Sequence, residues 1–112
     1  MLVNMNEQNE NSRAVHNIIS AIVESNINES EEYVFPKKRK NMVKQIQDYL
    51  DPLKTQDYQV IFKEGLVGIR LSICAIDYKG IIDKIEKLQA RIQEEVYVIT
   101  GYKVSYIHVN LS

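Results

Sequence analysis

The one cysteine and two histidines of this sequence, Cys74, His16 and His108, could supply a thiolate nucleophile, an imidazole base or metal ligands. A cysteine attacks as the thiolate and needs a base such as histidine within hydrogen-bond reach. Cys74 and His108 both fall on strands, on the face turned away from the core, so a Cys-His pair is geometrically conceivable, but no third member stands nearby. A zinc site needs clustered Cys, His or carboxylate ligands. Neither histidine has a paired spacing to the other or to the cysteine, and the expectation is no metal site: His16 reads as helix surface and His108 as sheet face. The four glycines, Gly65, Gly68, Gly80 and Gly101, form no GxGxxG or GxxxxGK array, so nucleotide binding has no support. Asp83, Glu86, Glu94 and Glu95 belong to the polar side of one helix, where Asp83 and Lys87 read as a surface pair four residues apart. No catalytic residue and no cofactor is expected, and the chain reads as a non-enzyme.

Two groups of residues could bind rather than react. Lys37, Lys38, Arg39 and Lys40 form a basic run that reads either as a solvated junction before a helix or as a patch for anionic lipid, RNA or an acidic partner. Tyr102, Tyr106 and His108, with Arg70 and Gln59, would form an aromatic and polar sheet face if helices cover only the opposite side. Such a face suits a protein partner or a second copy of the chain, with Arg70, Tyr102, Tyr106 and His108 as the candidate surface.

The elements that must position these residues follow from periodicity. Residues 1–11 are polar and aperiodic, and a disordered tail is expected there. Val15, Ile18, Ile19, Ile22 and Val23 then recur at helical spacing from Ser12 onward, with Asn11 or Ser12 as the cap. Asn26 to Phe35 has no stripe and ends at Pro36, which predicts a loop whose Glu29, Glu31 and Glu32 face water. Met42, Val43, Ile46, Tyr49 and Leu50 give a second helix that Asp51-Pro52 stops.

Alternation over Tyr58 to Lys63 and over Leu66 to Ile76 predicts two half-buried strands joined by a Glu64-Gly65 turn as an antiparallel hairpin. Ile81, Ile85, Leu88, Ile92, Val96 and Ile99 advance by three or four, the clearest amphipathic helix in the chain, and Gly101 suits its left-handed cap. A closing strand follows with Ile107, Val109 and Leu111 inward; Val104 is out of phase with them, which predicts a later start or a bulge near Ser105. The expected fold is a single α+β domain over residues 12–112, in the order α-α-β-β-α-β, with a three-stranded sheet and helices packed mainly on one face. A crossover between the last two strands would be right-handed if they share the sheet.

At 112 residues the chain suits one core, and a net charge of -1 argues against a surface that neutralises many phosphates. One cysteine cannot make an internal bridge, no signal-peptide pattern precedes the polar Asn4-to-Asn11 stretch, and no apolar run is long enough to span a bilayer, which points to the cytoplasm.

The helix end Ile92-Gln93-Glu94-Glu95-Val96, the following Thr100-Gly101-Tyr102-Lys103-Val104, and the strand Ile107-His108-Val109-Asn110-Leu111 together resemble the alkaline shock protein family of Gram-positive bacteria. In that family a helix ends in Thr-Gly, a large apolar residue and Lys-Val, and an alternating valine-rich strand follows. Leu66 to Ile76 with Asp77-Tyr78 is also similar to its strand ending in an acidic residue and tyrosine. The resemblance covers about the C-terminal half and is loose over the first two helices. Two departures stand out: Lys79 intervenes between Tyr78 and Gly80, and Tyr106 interrupts the last strand. The resemblance implies a cytoplasmic, non-enzymatic protein of cell-envelope stress or homeostasis that forms homo-oligomers and is held at the inner face of the membrane by a membrane-embedded anchor. The alternative is a KH-like RNA-binding or ribosome-associated factor. Its GXXG loop is missing, because Gly65-Leu66-Val67-Gly68 opens a strand instead of joining two helices.

Overall fold

The computed structural model describes residues 5–36 and 57–112. Helix α1 spans Met5–Asn28, strand β1 Tyr33–Val34, β2 Tyr58–Lys63, β3 Leu66–Ala75, helix α2 Ile81–Thr100 and β4 Lys103–Leu111. The described chain is thus a small α+β domain with two helices and a four-stranded sheet, one strand more than expected. The second expected helix, over Met42 to Leu50, and the run Lys37, Lys38, Arg39 and Lys40 lie outside the described residues.

Helix α1 is longer than its stripe at both ends. It begins at Met5, within the stretch expected to be a disordered tail, because adding a turn to an existing helix costs far less than nucleating one. It also runs on to Asn28 and carries Ile27 into the core beside Ile19, Ile22 and Val23. Ile18, expected on the buried stripe, is 40% exposed. Asn26, buried beside Ile27, donates through Nδ2 to the Ile22 carbonyl at 2.8 Å and to Glu95 Oε2 of α2 at 3.4 Å, so its amide is paired and joins the helices.

Strand β3 is the centre of the sheet. It pairs antiparallel with β2 and parallel with β4, and its last two residues pair antiparallel with β1 (Tyr33 opposite Ala75, Val34 opposite Cys74). Ser72 N–H bonds to the Asp57 carbonyl and Ile76 N–H to the Glu32 carbonyl. Groups four residues apart on a strand point the same way, so β1 continues the edge that β2 occupies and β4 holds the other. A strand of two residues is too short to show a period, and for that reason the acidic loop before Pro36 hides it. Tyr33 and Phe35, expected in a loop, are 2% and 7% exposed and belong to the core.

The hairpin forms at the expected turn. Glu64 and Gly65 both have positive φ, 54° and 79°, which suits a two-residue loop whose twist matches the flanking strands. Tyr58, Val60 and Phe62 then lie opposite Leu71, Ile69 and Val67 on the core face. Helix α2 keeps Leu88, Ile92 and Val96 buried. Ile81 and Ile85 are only partly covered, and Ile99, expected inward, is 59% exposed in the last turn. Gly101 closes the helix at φ 78° with its N–H on the Tyr97 carbonyl.

The out-of-phase Val104 is accommodated by the bulge expected near Ser105. Val67 pairs with Val104 and Gly68 with Tyr106, leaving Ser105 as the extra residue. Its hydroxyl donates to the Val67 carbonyl at 3.2 Å, which ties the bulge to the neighbouring strand. Beyond it Ile107 is buried and Val109 and Leu111 pack against the core. Both helices contribute to the core cluster that covers this face of the sheet.

Candidate functional site

The other face of the sheet gathers most of the residues singled out for binding. Across the strands Gln59 pairs with Arg70 and Arg70 with His108, and in the adjoining row Ile61 pairs with Gly68 and Gly68 with Tyr106. Residues two apart on a strand share a face, so these two rows project together, and Ser72 beside Asn110 extends them. Arg70 and His108 are exposed and Tyr106 is half-buried. The Tyr106 and His108 rings lie 4.6 Å apart between centroids at 39°. Next to them Gln59, Arg70, Ser72, His108 and Asn110 line a shallow depression of about 290 Å³.

Gly68 determines how Tyr106 lies. A Cβ at position 68 would sit 2.2 Å from Tyr106 Cζ, so the ring occupies the space that a side chain on the central strand would fill. The tyrosine therefore covers the backbone of β3 instead of standing clear of the sheet, and its edge meets His108. The Gly65-to-Gly68 stretch is accordingly a hairpin turn followed by strand, with its last glycine covered by an aromatic ring.

Tyr102 does not belong to this face. It lies in the connection before β4 and packs edge-on against Phe62 (centroids 5.7 Å, 83°) on the core side, whose other ring neighbour is His16 at 6.3 Å. Alternation cannot assign a residue that precedes its strand. His16, expected on the helix surface, is likewise half-buried.

The Cys-His pair is not assembled. His108 is in register with Arg70, and Cys74 lies four residues further along β3, roughly 13 Å away at the usual rise per residue. Cys74 Sγ instead lies 3.2 Å from Ser112 Oγ, and Tyr78 OH donates to the Ser112 carbonyl at 2.6 Å. Cys74 is 8% exposed although it is on the face away from the helices. Among the described residues no three His, Cys, Asp or Glu side chains are placed to hold a metal ion, and no helix is long and apolar enough to cross a membrane.

Two surface features were not singled out from the sequence. The last turns of α2 expose Tyr97, Val98 and Ile99 at 60%, 73% and 59%, an apolar patch that three consecutive non-polar residues on a two-sided helix could have signalled. Lys84, Lys87 and Arg91 line a cleft with Ser30, Glu32 and Tyr33. Their three-and-four spacing was legible, whereas the loop that completes the cleft was not. Asp83 and Lys87, expected as a surface pair, form no ion pair among the described residues. No protein-family model, no curated protein and no solved structure matches the chain.

Proposed function

We propose that this chain is a non-enzymatic interaction and scaffold protein of the alkaline shock type, acting on the cytoplasmic side of the cell envelope in stress response or homeostasis through self-association and a membrane-bound partner. The observation that carries the reading is the row of Gln59, Arg70 and His108 beside Tyr106 on a sheet face that the described helices leave open. Tyrosine and arginine are the side chains that most often anchor protein interfaces, because each combines a large contact area with a directional polar end. Strand β4 adds to the surface. It is nine residues long, carries one charge, Lys103, and no proline, and pairs only with β3 among the described strands. Long edge strands with so little protection readily accept a further strand. The family resemblance through Thr100-Gly101 and the closing strand supplies the cellular setting.

Sedimentation velocity over a range of protein concentrations tests the reading. The wild-type chain should sediment as a dimer or larger species, and Tyr106→Asp should shift it to monomer with an unchanged circular dichroism spectrum. A wild-type chain that stays monomeric at the highest concentration would refute self-association, and unfolding of the variant would place Tyr106 in the core.

A further inference from the structure

On the helical side of the domain, a cleft of about 230 Å³ separates the first half of α2 from the passage between α1 and β1. Lys84, Lys87 and Arg91 form one wall and Ser30, Glu32 and Tyr33 the other. The three cations follow one another by three and four residues, which stacks them on one side of the helix. No described carboxylate forms an ion pair with any of them. Like charges at this spacing repel mildly, and an anion between them would relieve the repulsion. With Glu32 as the one acidic lining residue, three positive charges and one negative leave the cleft at +2.

The opposite wall provides hydroxyls. Tyr33 is 2% exposed, and its hydroxyl is buried with no hydrogen-bond partner. Arg91 and Glu32 both lie close enough to bias its ionisation, in opposite directions, which puts the phenol among the charged groups of the cleft. Ser30 Oγ accepts the Glu32 N–H at 3.0 Å, so its own proton remains available to donate. A buried phenol without a partner is uncommon in folded proteins, and an acceptor held in the cleft would supply one.

We infer that this cleft binds the phosphoryl group of a small phosphate monoester, held by Lys84, Lys87 and Arg91 with the hydroxyls of Tyr33 and Ser30. A dianion matches the surplus charge of the lining. Three cations and two hydroxyls offer more donors than the two oxygens of a carboxylate can use, and a tetrahedral group can accept from several directions at once. The volume is several times the ~30 Å³ share of one water, which leaves room for a phosphoryl group and a few further atoms. The site is independent of the open sheet face.

The test is a titration of the ¹⁵N-labelled full chain with inorganic phosphate and with glycerol 3-phosphate, at ionic strength fixed by chloride, followed by amide shifts. Saturable shifts confined to residues 30–33 and 84–91 are expected, with affinity reduced roughly tenfold in Arg91→Gln and in Lys87→Gln. Tyr33→Phe should keep or raise the melting temperature without ligand yet weaken binding several-fold, which separates a ligand contact from a packing role. Co-sedimentation with phosphatidic acid vesicles, lost in Arg91→Gln, would show that the same site takes its phosphate from a lipid headgroup. No saturation by about 10 mM of either soluble ligand together with no vesicle binding would overturn the proposal. So would binding that Lys87→Gln and Arg91→Gln leave unchanged.

Discussion

The ring of Tyr106 lies against Gly68, so closely that a Cβ at position 68 would come within 2.2 Å of it. The three atoms it would meet are Cζ, Cε1 and Oη, the far end of a side chain on an open face, which can swing away. Gly68→Ala should therefore displace the ring without breaking the fold. The alanine also restricts the unfolded chain, a gain of about 0.4–1 kcal/mol that offsets part of the lost contact. We expect a net stability change within about 1 kcal/mol in urea denaturation. Self-association should fall as it does in Tyr106→Asp, since both changes remove the ring from the same place. Full oligomerisation of Gly68→Ala would separate Tyr106 from the interface.

How much of this was legible in the sequence depends on the length of each pattern. The hairpin, α2 with its glycine cap and the bulge before Ile107 were readable because each rests on several periods or on a residue type with one conformational use. Strand β1 was not, since Tyr33 and Val34 span one period and are held by pairing with Ala75 and Cys74, far away in the chain. Arg70, Tyr106 and His108 lie on regular strands and share one sheet face, as alternation places them, whereas Tyr102 precedes its strand and packs against Phe62 on the core side. The cleft around Arg91 needed the position of Tyr33, which only tertiary structure supplies.

Helix α2 allows a paired test of which side carries the stability. Leu88 is 2% exposed within the core cluster, and Leu88→Ala should cost about 2–5 kcal/mol through lost burial and the cavity left behind. Val98, at 73% exposed, should change stability by no more than about 0.5 kcal/mol when replaced by alanine. Urea midpoints of the two variants give the comparison. A large loss from Val98→Ala would show that the apolar patch at the end of α2 is covered in solution, with a concentration-dependent midpoint if a second copy covers it.

Gly101 ends α2 at φ 78° while its N–H bonds to the Tyr97 carbonyl at 2.8 Å. Nothing lies within 4 Å of a Cβ built there, so any penalty for alanine is conformational and not a clash. Gly101→Ala should destabilise by about 1–2 kcal/mol, the cost of a left-handed conformation for a residue with a side chain. Gly101→Asn should lose less, because asparagine tolerates that region better. Equal losses in thermal denaturation would show that the turn readjusts.

Two phenols should make stability fall at alkaline pH. Burial, with Glu32 adding to it and Arg91 opposing, raises the Tyr33 pKa. Burial, followed by the hydrogen bond that Tyr58 donates to Glu24, raises that of Tyr58. In the unfolded chain both ionise near the ordinary value of about 10. Below that pH both groups are protonated in either state and contribute no slope. Above it the unfolded chain releases protons that the folded one keeps, so the unfolded state binds fewer protons and stability declines until the folded pKa values are passed. We expect urea midpoints that these two groups leave level below about pH 10 and that drop beyond it. Tyr58→Phe should lower stability at neutral pH by about 1 kcal/mol through the lost hydrogen bond. Tyr33→Phe removes a buried hydroxyl with no partner and should leave stability unchanged or raise it slightly. Each variant should flatten the alkaline decline, and the double variant should flatten it most. A decline that survives in the double variant would have to come from lysines and from the remaining tyrosines.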